Sequence, residues 1–200
     1  MRAVVAIACV GLLAWAEKAS ADPPYTLTVS RHPSVHAFSQ NEVKQILSAA
    51  SAVIRGNGCN VTFGLKGSVG TFTSSGTPDV VTTSQDLDQV HSEGTNVKIV
   101  KEIHCCRGVK GNYDGCAWPP KAGSRSIIVT ESGATLGNLW AHEFGHRLGL
   151  PHKGAQSHLM TGQGVIATSV KLNKAQCRCY LNEGSCTLPQ FPPPDPQNRC

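Results

Sequence analysis

Three histidines and one glutamate lie within eleven residues of this 200-residue chain: His142, Glu143, His146 and His152. They form the pattern H-E-x-x-H-x-x-G-x-x-H. On an α-helix, residues four apart share one face, so His142 and His146 can reach one metal ion. Glu143 is rotated from His142 by roughly 100°, which directs it towards a water on that ion. Five fixed positions match by chance in about one chain in ten thousand of this length, so the pattern predicts a metal centre.

The motif requires a helix that ends abruptly after the second histidine. The sequence predicts this helix over residues 135–148, with an apolar face opposite the two histidines. That face comprises Trp140, Ala141, Phe144 and Leu148. Gly149 suits the left-handed position after a helix, and Pro151 prevents the helix from resuming. The chain therefore turns and can bring His152 back as a third ligand.

Three neutral imidazoles leave one position of a tetrahedral zinc site open, which is typical of catalytic rather than structural zinc. Such an ion lowers the pKa of its water towards about 7 and polarises a carbonyl. Glu143 would act as general base on that water and then as general acid on the leaving amine. The metal itself would stabilise the oxyanion, because the sequence indicates no dedicated donor. The alternative is a helix whose histidines are merely exposed.

The long motif resembles the signature of the metzincin clan of zinc endopeptidases, in which a methionine turn follows the third histidine. Met160 lies eight residues after His152, and this short gap is most similar to matrixin-like members of bacterial type. The resemblance implies peptide-bond cleavage with one catalytic zinc ion and Met160 as a hydrophobic floor beneath it. Two features depart from the subfamily patterns. Lys153 stands where matrixins usually have serine, and no tyrosine follows Met160 where astacins and serralysins place an extra ligand.

The resemblance also implies an α+β fold. This is a metzincin-like catalytic domain with a twisted, mixed five-stranded sheet, a backing helix, the zinc-binding helix, the Met-turn and a C-terminal helix. Alternating and apolar segments predict the strands, at 25–30, 61–65, 79–83, 97–103 and 126–130. Two further helices are predicted, at 168–180 and at 39–54, where Ser39 and Glu42 form a capping box.

A substrate-binding edge before the last strand is a further implication of the resemblance. It maps onto Gly115, Cys116, Ala117 and Trp118. An exposed edge strand binds an extended protein or peptide substrate by strand addition. The segment 113–115 is a candidate calcium loop, with a plain turn as the alternative. The S1′ pocket, which holds the residue after the scissile bond, would form around residues 160–166.

The first 21 residues have the pattern of a secretory signal peptide. A short apolar stretch, Ala3 to Ala16, precedes the small-residue cleavage site Ala19-Ser20-Ala21. The stretch is too short for a comfortable membrane span. Lipidation of Cys9 is the alternative. The sequence therefore predicts a secreted protein, extracellular or periplasmic, with its catalytic domain over residues 22–176.

Cysteines support export, since an even number remains after the signal peptide. They are Cys59, Cys105, Cys106, Cys116, Cys177, Cys179, Cys186 and Cys200. Eight cysteines allow 105 disulfide connectivities, and the adjacent Cys105 and Cys106 are expected to bond to different partners. The alternative is a metal site that uses Cys105, Cys106, Cys177 and Cys179.

The last 24 residues, 177–200, form a cysteine- and proline-rich tail that is predicted to pack on the domain. Engagement of a partner chain by this tail is the alternative. It underlies a second hypothesis for the function, a protease-fold toxin or binding component. The intact Glu143 favours catalysis, because a pure binding module needs no base beside a metal.

Net charge and the remaining histidines give no sign of a different function. The formal charge is +5 without a basic run, which argues against nucleic-acid binding. The residues Asn60-Val61-Thr62 form a glycosylation sequon. His158 is expected near the cleft but not as a ligand. The other histidines lack metal spacing and are predicted to be surface or hydrogen-bonded residues: His32, His36, His91 and His104.

Overall fold

The computed structural model describes residues 25–117, 126–162, 164–165, 167–181, 186 and 199–200. Several sequence predictions lie outside the described residues: the signal peptide 1–21, Trp118, Ile166 and the tail segments 182–185 and 187–198. None of the helices in the described part of the chain combines the length and apolar character needed to cross a bilayer.

Ten short strands form three sheets in the described residues. The strands are β1 (Tyr25–Leu27), β2 (Val29–Arg31), β3 (Phe63–Leu65), β4 (Gly70–Thr71), β5 (Val80–Val81), β6 (Val97–Val100), β7 (Glu102–Cys106), β8 (Val109–Tyr113), β9 (Gly115–Ala117) and β10 (Ile127–Thr130). The largest sheet has the order β4-β2-β6-β10-β9, with β9 antiparallel to β10 and the other pairs parallel. Strands β1 and β3 form a parallel pair, and β5-β7-β8 form a small mixed sheet.

In the described part of the chain, four α-helices accompany these sheets: α1 (Gln40–Gly56), α2 (Ser84–Ser92), α3 (Gly137–Arg147) and α4 (Lys174–Leu181). The capping box predicted for α1 is confirmed, with the Ser39 hydroxyl accepting from the Glu42 N–H and the Glu42 carboxylate accepting from the Ser39 N–H. A 3₁₀ turn at Gly133–Thr135 leads into α3. The mixed α/β character with a sheet and helices is therefore confirmed.

The five-stranded sheet has an apolar core on each face, because successive side chains of its central strands point to opposite faces. On β6, Val97 and Ile99 pack in the core that contains α1 and α3, whereas Val100 packs in the core that contains α2. On β10, Val129 packs in the core that contains α1 and α3, and Ile128 packs in the core that contains α2. Helix α3 is thereby held between the sheet and α1, and each of its residues is buried.

The described residues contain four disulfides, which confirm the prediction of a disulfide-bonded protein: Cys59–Cys177, Cys105–Cys200, Cys106–Cys116 and Cys179–Cys186. Cys105 and Cys106 bond to different partners, as expected. The alternative of a cysteine metal site is wrong, because all four of its cysteines are in disulfides.

Several boundaries differ from the predictions. Residues 25–30 form two strands in different sheets, and the segment 97–103 breaks at Lys101 into β6 and β7. The last helix begins at Lys174 rather than at 168, because Asn173 and Gln176 exchange hydrogen bonds that start it there. Helix α2 and strands β4 and β8 were not predicted from the sequence.

Candidate metal centre

Helix α3 and the turn after it bring the three predicted histidines together. His142 and His146 lie one turn apart on α3, and His152 returns towards them. One nitrogen from each ring lies within 4.8 Å of the others. The Nε2 atoms of His146 and His152 are 3.0 Å apart. Among the described residues, these three form the one group of metal-ligating side chains with such convergence.

The turn depends on the glycine that follows the helix. Gly149 has a φ of +98°, a left-handed conformation that other residues rarely adopt. Its N–H donates to His146 O at 2.9 Å, and the Leu150 N–H donates to Gly145 O at 2.9 Å. This pair of bonds is a Schellman motif, which ends the helix and reverses the chain. The predicted stop at Gly149 is therefore confirmed.

Backbone carbonyls fix the orientation of both helix histidines. His142 Nδ1 donates to Leu159 O, and His146 Nδ1 donates to Leu150 O at 2.6 Å. A proton on Nδ1 leaves Nε2 as the basic nitrogen that binds metal, and such carbonyl partners commonly set this tautomer in metal sites. Burial lowers the pKa of His142 to about 4, and it lowers the pKa of His146 well below its usual range. The imidazoles are thus held neutral, as metal ligands must be.

Glu143 lies buried beside this group. Its Oε1 is 3.9 Å from His142 Nε2, and its Oε2 has no hydrogen-bond partner among the described residues. Burial raises the pKa of Glu143 to about 8, while the Arg107 guanidinium opposes the rise and Asp114 adds to it. Gly115 makes room for the carboxyl group, because a Cβ at that position would lie 2.6 Å from Glu143 Oε1.

Met160 lies fully buried beneath the helix. A Cβ on Gly145 would meet Met160 Sδ at 2.6 Å and the Tyr180 hydroxyl at 2.5 Å, so the glycine allows both groups to approach. The Tyr180 hydroxyl donates to Ala141 O at 2.7 Å and lies 3.8 Å from Met160 Sδ. Met160 thus packs against α3 at Gly145, and its role as a floor beneath the metal stays a prediction.

The turn that contains Met160 also supports the third histidine. The Lys153 N–H donates to Met160 O at 2.6 Å, and a Cβ on Gly162 would lie 3.3 Å from His152 Nδ1. His158 forms a β-bridge with Lys171 and is not part of the histidine group.

The predicted substrate edge forms strand β9, of which Gly115, Cys116 and Ala117 are described. The hairpin turn between β7 and β8 lies next to it, and Arg107 Nε donates to Ala117 O at 3.2 Å. Asp114, in the candidate calcium loop, accepts a hydrogen bond from the Thr130 N–H through its carbonyl. Calcium binding at this loop stays a prediction.

Arg107 and Tyr180 lie at the site but were not predicted from the sequence. Each approaches from an element far from the motif in sequence, Arg107 from the β7–β8 turn and Tyr180 from α4. The sequence feature that could have pointed to Arg107 is the cysteine beside it. Cys106 is bonded to Cys116, which lies in the predicted substrate edge.

These residues fit a zinc ion. Three neutral imidazoles converge with Nε2 available, a carboxyl group stands beside them, and carbonyl partners fix two of the rings. The nitrogen donors are those that zinc prefers at a catalytic site.

Comparisons with known proteins agree with this chemistry. Residues 80–168 match the family model described as Peptidase M66, which is less than half of the chain. Together with the fold similarity below, this match supports a metalloprotease. Curated protein sequences give no match to this chain.

Seventy chains of solved structure match this chain. One is an archaemetzincin from Methanopyrus kandleri, with 12% sequence identity and a TM-score of 0.54. The match covers 78% of this chain and 93% of the archaemetzincin. At this identity the similarity shows a shared fold. Two others have TM-scores below 0.5. A zinc-dependent peptidase from Methanocorpusculum labreanum has 15% identity, a TM-score of 0.45 and coverage of 78% and 99%. Metalloproteinase-II from Bacteroides fragilis has 17% identity, a TM-score of 0.48 and coverage of 79% and 52%, so this chain spans about half of its length.

Proposed function

We propose that this chain is a secreted, zinc-dependent endopeptidase of metzincin type. His142, His146 and His152 bind one zinc ion, Glu143 moves the proton and Met160 forms the floor. The observation that carries the proposal is the convergence of three ring nitrogens within 4.8 Å, beside a buried carboxyl group. The gap of eight residues between His152 and Met160 favours the matrixin-like branch.

Bound zinc would supply Lewis acidity, which polarises a peptide carbonyl and lowers the pKa of a water. Glu143 contributes the proton transfer. Its Oε2 accepts a proton from the attacking water and then delivers that proton to the nitrogen of the leaving amine, so the carboxylate is restored. Burial raises the pKa of Glu143 above its ordinary value, which makes its carboxylate a stronger base.

Strand β9 provides the binding edge for an extended substrate. Gly115 lies directly against Glu143, so a peptide that pairs with Gly115 passes beside the proton-transfer group. Backbone pairing binds many sequences, and side-chain contacts then select among them. Secretion is supported by the four disulfides, which persist in oxidising compartments. The domain division into 1–21, 22–176 and 177–200 remains a prediction from the sequence.

Replacement of the proposed base tests the function directly. Glu143→Gln keeps the size of the side chain and removes its basicity, so we expect unchanged zinc content and loss of casein or gelatin cleavage by at least 100-fold. Glu102→Gln is the matched control, because Glu102 is an exposed acid paired with His104, and it should cleave like the parent.

The same pair of variants separates proteolysis from a binding function. If a zinc-loaded Glu143→Gln protein retains full biological effect on its target, proteolysis is not the function and the binding hypothesis takes its place. If both the effect and the cleavage are lost together, the protease proposal stands.

A further inference from the structure

The tip of the β7–β8 hairpin, residues 106–108, is held in place from two directions. Cys106 is bonded to Cys116 in strand β9. Cys105, the residue before the tip, is bonded to Cys200, and the Gly108 carbonyl accepts from the Cys200 N–H at 3.0 Å. Two disulfides and a backbone hydrogen bond within four residues restrict the movement of this segment. We therefore expect the hairpin tip to keep its position when a ligand binds beside it.

Arg107 lies at the centre of the hairpin tip, and its side chain contacts strand β9. Its Nε donates to Ala117 O at 3.2 Å, its Nη2 is buried, and the residue has further interactions within the chain. Burial raises the pKa of Glu143 and the Arg107 guanidinium opposes this rise, so the side chain lies near the proposed proton-transfer group. Arg107 is therefore a fixed part of the wall of the site.

The alternation of hydrogen bonds shows which edge of β9 this side chain covers. In an antiparallel pair, every second residue bonds to the neighbouring strand. The Thr130 N–H donates to Asp114 O, and the pairing with β10 continues in register from Gly115 to Ala117. Because Gly115 and Ala117 are one and three positions after Asp114, their N–H and C=O groups point away from β10. Arg107 thus binds the outer edge of β9, the edge to which a substrate would add.

A peptide strand added to this edge would meet the hairpin tip after a short distance. Each outer carbonyl of β9 would accept from a substrate N–H about 3 Å away, and Arg107 Nε already takes that place at Ala117 O. Gly115 lies against Glu143, so the substrate residue that pairs with it flanks the scissile bond. Ala117 is two residues further, about 7 Å along the strand. The third substrate residue from the scissile bond is therefore the first that the tip excludes.

We propose that the hairpin tip ends the substrate strand, with Arg107 as the specificity-determining residue that occupies the pairing position at Ala117. On this side of the scissile bond, about two substrate residues bind along β9. The enzyme then favours peptides that end or bend away within about two residues of the cleaved bond on that side. This inference rests on the proposed function, because it needs a peptide bound along β9.

A length series of quenched fluorescent peptides tests the inference. All peptides share one core sequence taken from casein, and residues are added one at a time at either end. We expect kcat/KM of the parent to rise with length at one end. At the other end, the third and later residues from the scissile bond should change kcat/KM by less than twofold. This parental series needs no variant, and rises through the third and fourth residues at both ends would overturn the inference.

Removal of the Arg107 side chain should lengthen the binding edge. Arg107→Gly suits the φ of +54° at this position and leaves the Cys106–Cys116 disulfide in place. The third residue should then raise kcat/KM about fivefold, which corresponds to one net backbone hydrogen bond. Lys110→Gln is the matched control, because it changes an exposed residue of the same hairpin, and it should keep the parental limit. A limit that persists in folded Arg107→Gly protein would refute the role of Arg107.

Equilibrium binding keeps this test separate from that of the proposed function. The same peptides are bound to zinc-loaded Glu143→Gln protein, with and without Arg107→Gly, after thermal melts confirm that the variants are folded. A limit at the second residue that Arg107→Gly removes, with no cleavage by the parent, would support the hairpin tip as the end of the substrate strand and refute proteolysis. Affinity that does not depend on peptide length at either end would overturn the inference.

Discussion

Substitution of Gly115 by alanine is expected to disable the enzyme through one misplaced carboxyl group. A Cβ on Gly115 would lie 2.6 Å from both Cγ and Oε1 of Glu143 and 2.7 Å from its Cδ. Ordinary contacts of a Cβ begin near 3.4 Å, so the two groups must separate by about 1 Å. Strand β9 is paired to β10 and bonded to the hairpin tip through Cys116. The side chain of Glu143 is therefore expected to move.

The magnitude follows from the geometry. Misplacement of a reacting group by about 1 Å can cost about 100-fold in rate, which is about 3 kcal/mol of activation free energy. We expect Gly115→Ala to lower kcat/KM by about this factor, chiefly through kcat. Zinc content should be unchanged, because the three atoms nearest to the added Cβ all belong to Glu143 and none to a histidine.

Steady-state cleavage of a fluorogenic peptide, together with zinc analysis, measures this effect. Gly70→Ala is the matched control, because Gly70 lies in β4 of the same sheet and its Cβ would have an ordinary 3.9 Å contact with Ser30. This control should stay within about twofold of the parent. The reasoning is refuted if zinc-loaded Gly115→Ala retains kcat within about threefold of the parent. A rise in KM alone would assign Gly115 to substrate pairing instead.

Three further predictions concern the elements that support the site. Tyr180→Phe removes the hydroxyl that donates to Ala141 O, so we expect a loss of about 1 kcal/mol in stability and zinc binding weakened several-fold in a chelator competition; parental zinc affinity would contradict this role. Burial lowers the pKa of His91 to about 3 from its ordinary 6.5, so protonation favours the unfolded state and stability falls as pH drops from 6.5 to 3, by up to about 5 kcal/mol. His91→Gln should flatten this fall in urea titrations, and parallel pH profiles would refute it. Removal of the Cys59–Cys177 disulfide, which closes 118 residues, should cost about 5 kcal/mol in urea unfolding, and a loss below 1 kcal/mol would contradict it.

Local sequence rules were sufficient for the parts of the site that lie close together in the chain. The i, i+4 spacing of His142 and His146, the left-handed Gly149 and the capping box at Ser39 are each decided by neighbouring residues. These features are present as the sequence predicted. They required only helix geometry and the conformational freedom of glycine.

Features that depend on distant residues were not accessible in this way. Tyr180 reaches helix α3 from 39 residues beyond Ala141, and no periodicity relates the two. The position of Arg107 depends on the choice of one disulfide pairing out of many. Helix α2 escaped prediction because its apolar face is small, with Leu87, Val90 and a buried His91. Residues 25–30 alternate like one strand, yet they pair with β3 and then with β6.

Zinc content and proteolysis, measured on the same sample before and after chelation, test the central claim most directly. We expect about one zinc ion per folded chain, loss of casein cleavage when a chelator removes it, and recovery when one equivalent of zinc is returned. A folded protein that binds no zinc, or cleavage that is unaffected by chelation, would contradict it.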